Sequence, residues 1–240
     1  MDPGMPDVLP KAMLPKDMLH RALGKAITMA QSPVAGYVAR LRRARPLATP
    51  AEIVAVLEKQ YLATVTGTGA AAGGVAVVPG IGTVAALALT GGETALFLET
   101  TALFALAVAE VHGIRVEEVE RRRTLVLAVA LGDNGAMLVE KMAGRGGQQW
   151  GALLPDAIPM SSITAINKTL GRWFLTRYGR KQGVLALGRI APFGIGVAIG
   201  AAGNRAFGRV VVDTSRRVFG PPPAHFPSGS TVTIIEGTVG

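Results

Sequence analysis

The 240-residue chain contains no cysteine, so disulfides, thiolate catalysis, Cys-ligated zinc and iron–sulfur clusters are all excluded. It has three histidines, His20, His112 and His225, and none lies at the HxxxH or HExxH spacing that puts two ligands on one helical face. Charge is scarce as well: 17% of residues are charged, against about 25% in ordinary soluble domains. Aromatics are 5%, which leaves few platforms on which nucleic-acid bases could stack. No alternation of strand and helix patterns is visible, so a doubly wound sheet is not expected. No secretory leader is expected either. Asp2, Pro3, Pro6, Asp7, Pro10 and Pro15 occupy the region where a charged start and an apolar run would stand. Residue 2 is Asp and no thiol is available, so no acyl or prenyl signal is expected. This start reads as an irregular leader on a cytoplasmic protein.

Apolar residues make up 49% of the chain, with 31 glycines besides, so the bulk of it folds. The length suits one domain with extensions, able to bury a core without staples. The net charge of +9 is unevenly spread. Residues 1–59 and 121–240 are basic, and the stretch between them is acidic. Three clusters concentrate the positive charge: Arg40, Arg42, Arg43 and Arg45; Arg121, Arg122 and Arg123; and Arg177, Arg180 and Lys181. Near an anionic leaflet each Lys or Arg contributes about 1 kcal/mol of attraction, so these clusters are candidate contacts for membrane lipid. Nucleic acid is the competing partner. It is disfavoured by the shortage of aromatics, and it does not explain a chain segment free of charge from Gln60 to Gly92.

The helix signals run as follows. Leu19, Leu23, Ala26 and Ile27 have helical spacing until Pro33 interrupts, and Val34, Val38 and Leu41 resume it. Thr49, Pro50 and Glu52 form a capping box, with Ile53, Leu57, Tyr61 and Val65 as an apolar stripe behind it. The Gly/Ala-rich stretch that follows is long enough for a bilayer, but Gly73-Gly74 and Pro79-Gly80 favour two short helices meeting at Pro79. A helix from Thr83 to His112 is capped by Gly113. The next one is headed by the i,i+4 pairs Glu117–Arg121 and Glu118–Arg122. Residues 144–160 read as a long connection. Ile163, Ile166, Leu170 and Trp173 or Phe174 mark another helix, and a last one ends at Gly220 and its prolines. The tail from Thr231 to Ile235 alternates like a short, loosely held strand.

Two glycine-rich stretches echo each other. Pro79-Gly80-Ile81-Gly82 is matched by Pro192-Phe193-Gly194-Ile195-Gly196, with Gly200 beyond. Both of the GxGxxxG spacings, from Gly67 through Gly69 to Gly73 and from Gly194 through Gly196 to Gly200, could cradle a phosphate only after a strand and with a Lys-Ser/Thr pair. Neither condition is met, so Gly69, Gly73, Gly80, Gly82, Gly194, Gly196 and Gly200 read as helix-packing positions. Together with Ala109-Glu110-Val111-His112-Gly113, Ala165-Ile166-Asn167-Lys168 and Gly200-Ala201-Ala202-Gly203-Asn204, these stretches resemble the EcsC family of bacterial proteins. The resemblance covers roughly residues 48–220. It implies a helical, membrane-associated protein, linked through the family's name to a transporter pair. It carries over no catalytic residue.

Four polar residues interrupt apolar patterns: Glu93, Glu99, Asn167 and Asn204. The two acids are six residues apart, about 240° around a helix, and so do not share a face. The asparagines read as hydrogen-bonding glue between helices or as contacts to a ligand. His112 reads as a donor at a helix C-terminus.

The expectation is therefore an all-α, multi-helix single domain in which two Gly/Ala-rich apolar helical segments pack together. Residues 1–47 form a basic extension, 48–220 the EcsC-like domain and 221–240 a Pro-rich tail. No catalytic, cofactor-binding or metal-ligating residue is assigned, and a binding or accessory protein is favoured over an enzyme. It would sit on the cytoplasmic face of the membrane, held to anionic lipid by its basic helices and glycine-rich hairpins, with a membrane protein as a candidate partner. The alternatives are an enzyme or carrier with an apolar pocket near Glu93, Glu99 and His112, and a basic nucleic-acid-binding protein.

Overall fold

The computed structural model describes residues 31–75, 83–144, 149–188 and 195–227, with Gly24, Ile27 and Thr28 ahead of them; at 31–33, 71–75, 83–95, 175, 177–188 and 195–199 the backbone alone is described. Among these residues the chain is all-α, with no strand. The helices are α1 (Gln31–Ala44), α2 (Pro50–Val75), α3 (Thr83–Val111), α4 (Val119–Leu131), α5 (Asp133–Met142), α6 (Met160–Gly188) and α7 (Ile195–Phe219). A short 3₁₀ turn, Trp150–Leu153, lies between α5 and α6.

Local chemistry sets the ends. The Thr49 backbone N–H donates to Glu52 Oε2 at 2.7 Å, and the Glu52 N–H donates to Thr49 Oγ1 at 3.3 Å, completing the reciprocal box that starts α2. At the end of α3, the Gly113 N–H bonds to the Glu110 carbonyl and the Ile114 N–H to that of Ala109. This is the paired closure of a Schellman cap, and Gly113 takes the left-handed conformation it requires, with φ +73°. Pro33 stands in the first turn of α1, where a missing N–H costs little.

The most extensive helix pair is α2 with α7, which run antiparallel. A methyl group added at Gly69 would run into the Gly200 carbonyl and come within 2.8 Å of the Asn204 amide. Two turns along, one added at Gly208 would lie 2.8 Å from Val65 and 3.0 Å from Leu62. The two glycine-rich helices thus pack together as expected, because absent side chains let backbones approach closely. Near the other end of the seam, Arg216 grips both oxygens of Glu58, at 2.5 and 2.7 Å.

Helix α4 is the centre of the fold. Leu125 through Leu131 are buried without interruption, since α3, α5, α6 and α7 all pack against it. On α6, Ile163, Ile166, Leu170 and Phe174 face inward and Trp173 is exposed, which settles the phase left open by the sequence.

Several expectations change. The charge-free stretch covers the end of one long helix and the start of another, α2 and α3, of 26 and 29 residues, not two short ones; Pro79 itself lies outside the described residues. Because α4 begins only at Val119, the i,i+4 pairs headed by Glu117 and Glu118 do not form; Arg121 meets Glu118 at 2.7 Å, at i,i+3. The connection at 144–160 is anchored by Trp150, which is fully buried. The basic extension is in part core, since Val34, Val38 and Leu41 of α1 join the main apolar cluster. The Pro-rich tail also packs back: Phe226 rests on the core and Pro227 covers Gly113. Thr231–Ile235 lie outside the described residues.

Candidate functional site

The end of α1 and the turn after it form an arginine corner. Arg40, Arg43 and Arg45 are exposed and make no ion pair among the described residues. Arg42 is half-buried, its guanidinium 4.1 Å above the ring of Phe226, where cation and ring face attract. The placement follows from the helix. The face carrying Val34, Val38 and Leu41 packs inward, leaving Arg40 and Arg43, one turn apart, on the outer face. Leu47 follows in the turn at 96% exposure. An aliphatic side chain so fully offered to water, two residues from an arginine, is a combination that suits an amphiphilic partner.

Beside the corner a groove of about 410 Å³ opens between α1, α2 and α3, and Arg40 stands in its wall. Its apolar surface comes from Val34, Leu57, Leu103, Phe104 and Ala107. Tyr61 stacks on Phe104 with ring centroids 4.6 Å apart, and its hydroxyl pairs with Thr101 Oγ1 at 2.9 Å. Burial pushes the Tyr61 phenol far above its ordinary range. Tyr37, at the mouth, donates to Gln60 Oε1. Its phenol is pushed up by burial, against the opposing pull of the Arg45 charge. Leu96 and Leu103, seven residues apart on α3, are both exposed and continue the apolar side outward. The groove thus has a cation at its edge and hydrocarbon along its wall.

The other expected sites fall elsewhere. Arg121 and Arg122 are turned inward, which corrects their reading as partner contacts. Arg121 donates to the carbonyls of Leu154 and Ile158 at 2.6 and 2.8 Å, and Arg122 donates to those of Ile27 and Glu117 at 3.3 and 3.1 Å. Desolvation lowers the Arg122 pKa. Asn167 is helix glue: its amide donates to the Glu120 carbonyl and carboxylate, both at 2.8 Å, and its oxygen accepts from Thr124. Asn204 is buried against Gly69 in the seam. Glu99 is half-buried on α3 and does not line the groove. His112, thirteen residues further along α3, is about 20 Å away by helical rise, so the two do not share a pocket. Gly73, Glu93, Arg177, Arg180, Lys181 and Gly196 lie on described helices, but their side-chain surroundings fall outside the described residues, as do Gly80, Gly82 and Gly194 altogether.

The sequence reading missed the groove. Leu103 gave no signal because no single face of α3 stands out as apolar, and Tyr37 and Gln60 stand on two other helices that meet it only in the fold. Among the described residues no helix is long and apolar enough to cross a membrane, and no three His, Asp or Glu side chains gather as a metal site would require. No family model, no curated protein and no solved structure matches the chain, so the resemblance to EcsC rests on the residues that carry it.

Proposed function

We propose that the protein is a peripheral binding protein for anionic membrane lipid. The observation that carries this reading is the double position of Arg40, at once a member of the exposed arginine corner and a wall of the apolar groove. An anionic head group at Arg40, Arg43 and Arg45 would leave its hydrocarbon beside Leu57, Leu103 and Phe104. Leu47 would enter the interface next to the bound head groups, adding burial to charge attraction. A membrane-surface role also agrees with what the resemblance to EcsC implies, on the cytoplasmic leaflet and alongside a membrane protein. The glycine-rich stretches near 66–92 and 190–204 would insert partly; their turns at 76–82 and 189–194 lie outside the described residues, and Gly69 and Gly200 are spent on helix packing.

Flotation of the full chain with vesicles tests the reading. Phosphatidylcholine vesicles containing phosphatidylglycerol should carry the protein upward, and pure phosphatidylcholine should not. High salt should weaken the association, because exposed charges are screened beyond about 10 Å at 0.1 M. The triple variant Arg40→Glu, Arg43→Glu, Arg45→Glu should stay at the bottom. Equal flotation on neutral and anionic vesicles, or none on either, would overturn the proposal. Steeply salt-dependent binding to DNA duplexes that outcompetes the vesicles would replace it with the nucleic-acid reading.

A further inference from the structure

The hydroxyls along the Arg40 groove are already spent. Tyr61 pairs with Thr101 Oγ1 at 2.9 Å, and Tyr37 donates to Gln60 Oε1. Thr64 Oγ1 donates to the Gln60 carbonyl at 2.9 Å, and Thr100 Oγ1 to that of Leu96 at 2.7 Å. Hydrocarbon laid over these groups breaks no hydrogen bond, so it escapes the penalty of burying an unpaired polar atom.

Arg40 differs from its neighbours in the wall. It is exposed and makes no ion pair among the described residues. Its guanidinium offers a fixed fork of N–H donors, the shape that oxyanions accept. A second cation stands beside the mouth. Burial raises the Tyr37 pKa and the Arg45 charge pulls against it, so Arg45 acts on the same entrance. Two positive charges without a carboxylate partner suit a dianion better than a monoanion. Size limits the rest of the ligand. The groove offers about 410 Å³, toward the lower end of the roughly 300 to 1,000 Å³ of small-molecule sites. A methylene fills about the space of a water molecule, roughly 30 Å³, so the groove holds one chain of about a dozen carbons. A lipid with two chains would leave the second outside.

We propose that the groove binds one molecule of a single-chain phosphate monoester, its phosphate at Arg40 and Arg45 and its hydrocarbon along Leu57, Leu103 and Phe104. The proposal rests on the lipid reading above, narrows it to one chain and one head group, and adds that binding needs no bilayer. A long-chain alcohol would leave Arg40 without an acceptor of opposite charge. A carboxylate would bring one negative charge to two arginines, and a cationic head would be repelled. A short alkyl phosphate would leave the apolar wall wet.

The test titrates the full chain by calorimetry with butyl, octyl, dodecyl and hexadecyl phosphate, each below its micelle concentration, at about pH 8, where the head group is a dianion. Dodecyl phosphate should saturate at one molecule per chain. Affinity should rise about twofold per added methylene up to dodecyl, because an open groove buries about half of each. It should then level off, with hexadecyl phosphate binding about as tightly as dodecyl phosphate. Dodecanoate should bind about fivefold more weakly, the equivalent of one charge, and dodecyltrimethylammonium should not bind. Arg40→Gln should weaken dodecyl phosphate at least about tenfold with the melting temperature retained. Leu103→Glu, which sets a carboxylate in the hydrocarbon wall, should abolish binding; should that variant fail to fold, the chain-length series on the natural chain decides. Affinity that keeps climbing to hexadecyl phosphate would overturn the proposal, as would many molecules bound per chain. So would equal binding of dodecanoate or dodecyltrimethylammonium, or no saturable binding at all. Vesicle flotation separates the two readings. A chain that floats on anionic vesicles but does not bind dodecyl phosphate refutes the groove proposal alone. One that binds a single dodecyl phosphate but does not float upholds the groove and refutes membrane attachment alone.

Discussion

Two arginine clusters of one chain meet opposite fates. Arg121 and Arg122 are buried, Arg122 at 1% exposure, and Arg40, Arg43 and Arg45 stand in water. Neither composition nor density of charge separates them. The difference lies in what surrounds each helix. Helix α4 is enclosed by four others, and its first turn lies against the carbonyls of Leu154, Ile158 and Ile27. Guanidinium groups supply hydrogens to them, several from one side chain in a fixed fork. On helix α1 the face of Val34, Val38 and Leu41 packs inward, and Arg40, Arg43 and, just past its end, Arg45 stand exposed. A run of arginines is therefore a structural device or a binding surface according to the backbone acceptors within reach.

The strongest way to break this comparison is to remove a buried member. Arg121→Ala abolishes bonds to two buried carbonyls and Arg122→Ala bonds to one buried and one part-buried carbonyl, and each leaves a void, so each should cost about 2 to 4 kcal/mol in urea unfolding. Arg121→Lys should recover little of that loss, because a single ammonium does not reproduce the fork that reaches Glu118, Leu154 and Ile158 together. If either alanine variant proved as stable as the natural chain, the structural role would fall.

The same rule, that surroundings decide, can be sharpened on the glycines of α2. Gly69→Ala puts a methyl group into the Gly200 carbonyl, which is backbone and cannot swing aside, so α2 and α7 must separate locally. A cost of about 1 to 3 kcal/mol is expected. Gly67→Ala, one residue pair earlier on the same helix, meets nothing within 4 Å. It should stabilise by up to about 1 kcal/mol through helix propensity alone. Thermal melts of the two variants should move in opposite directions.

These contrasts show where the sequence was legible. Thr49, Glu52, Gly113 and the stripe of Ile53, Leu57, Tyr61 and Val65 work through neighbours a few residues away, and their roles could be read directly. The packing of the two glycine-rich segments was anticipated because small residues recur in both, but the pairing of Gly69 with Gly200 was not. The burial of Arg121 and Arg122 was not legible, since it depends on carbonyls 33 to 95 residues distant in sequence. The groove at Tyr37 and Leu103 arises from three helices meeting, and no local pattern encodes that.

An intermediate case lies between the two clusters. Arg216 is largely exposed, yet its partner Glu58 is nearly buried. The two hydrogen bonds to Glu58 raise the Arg216 pKa, so the guanidinium loses its charge, and with it its contribution, only in strong alkali, as pH rises through that raised value. Arg216→Ala should cost about 1 kcal/mol, less than a buried arginine because water reaches one side of the pair and screens it. The loss should be nearly constant between pH 6 and pH 9 on the ordinary scale of arginine ionisation.

The smallest effect on stability is expected at the corner itself, and there the comparison becomes functional. Reversing Arg40, Arg43 and Arg45 to glutamate removes no hydrogen bond seen among the described residues, so the melting temperature should stay where it is. The same three changes should abolish attachment to anionic vesicles, because attraction becomes repulsion at every site of contact. Arg42 is left in place because its packing on Phe226 would mix a structural loss with the loss of charge. A corner variant that unfolds early would mean that these arginines hold the fold as Arg121 and Arg122 do. One that keeps both its stability and its vesicle binding would move the attachment to another surface. Unchanged melting with lost flotation is the single combination that keeps the two clusters distinct, one serving the fold and the other the membrane.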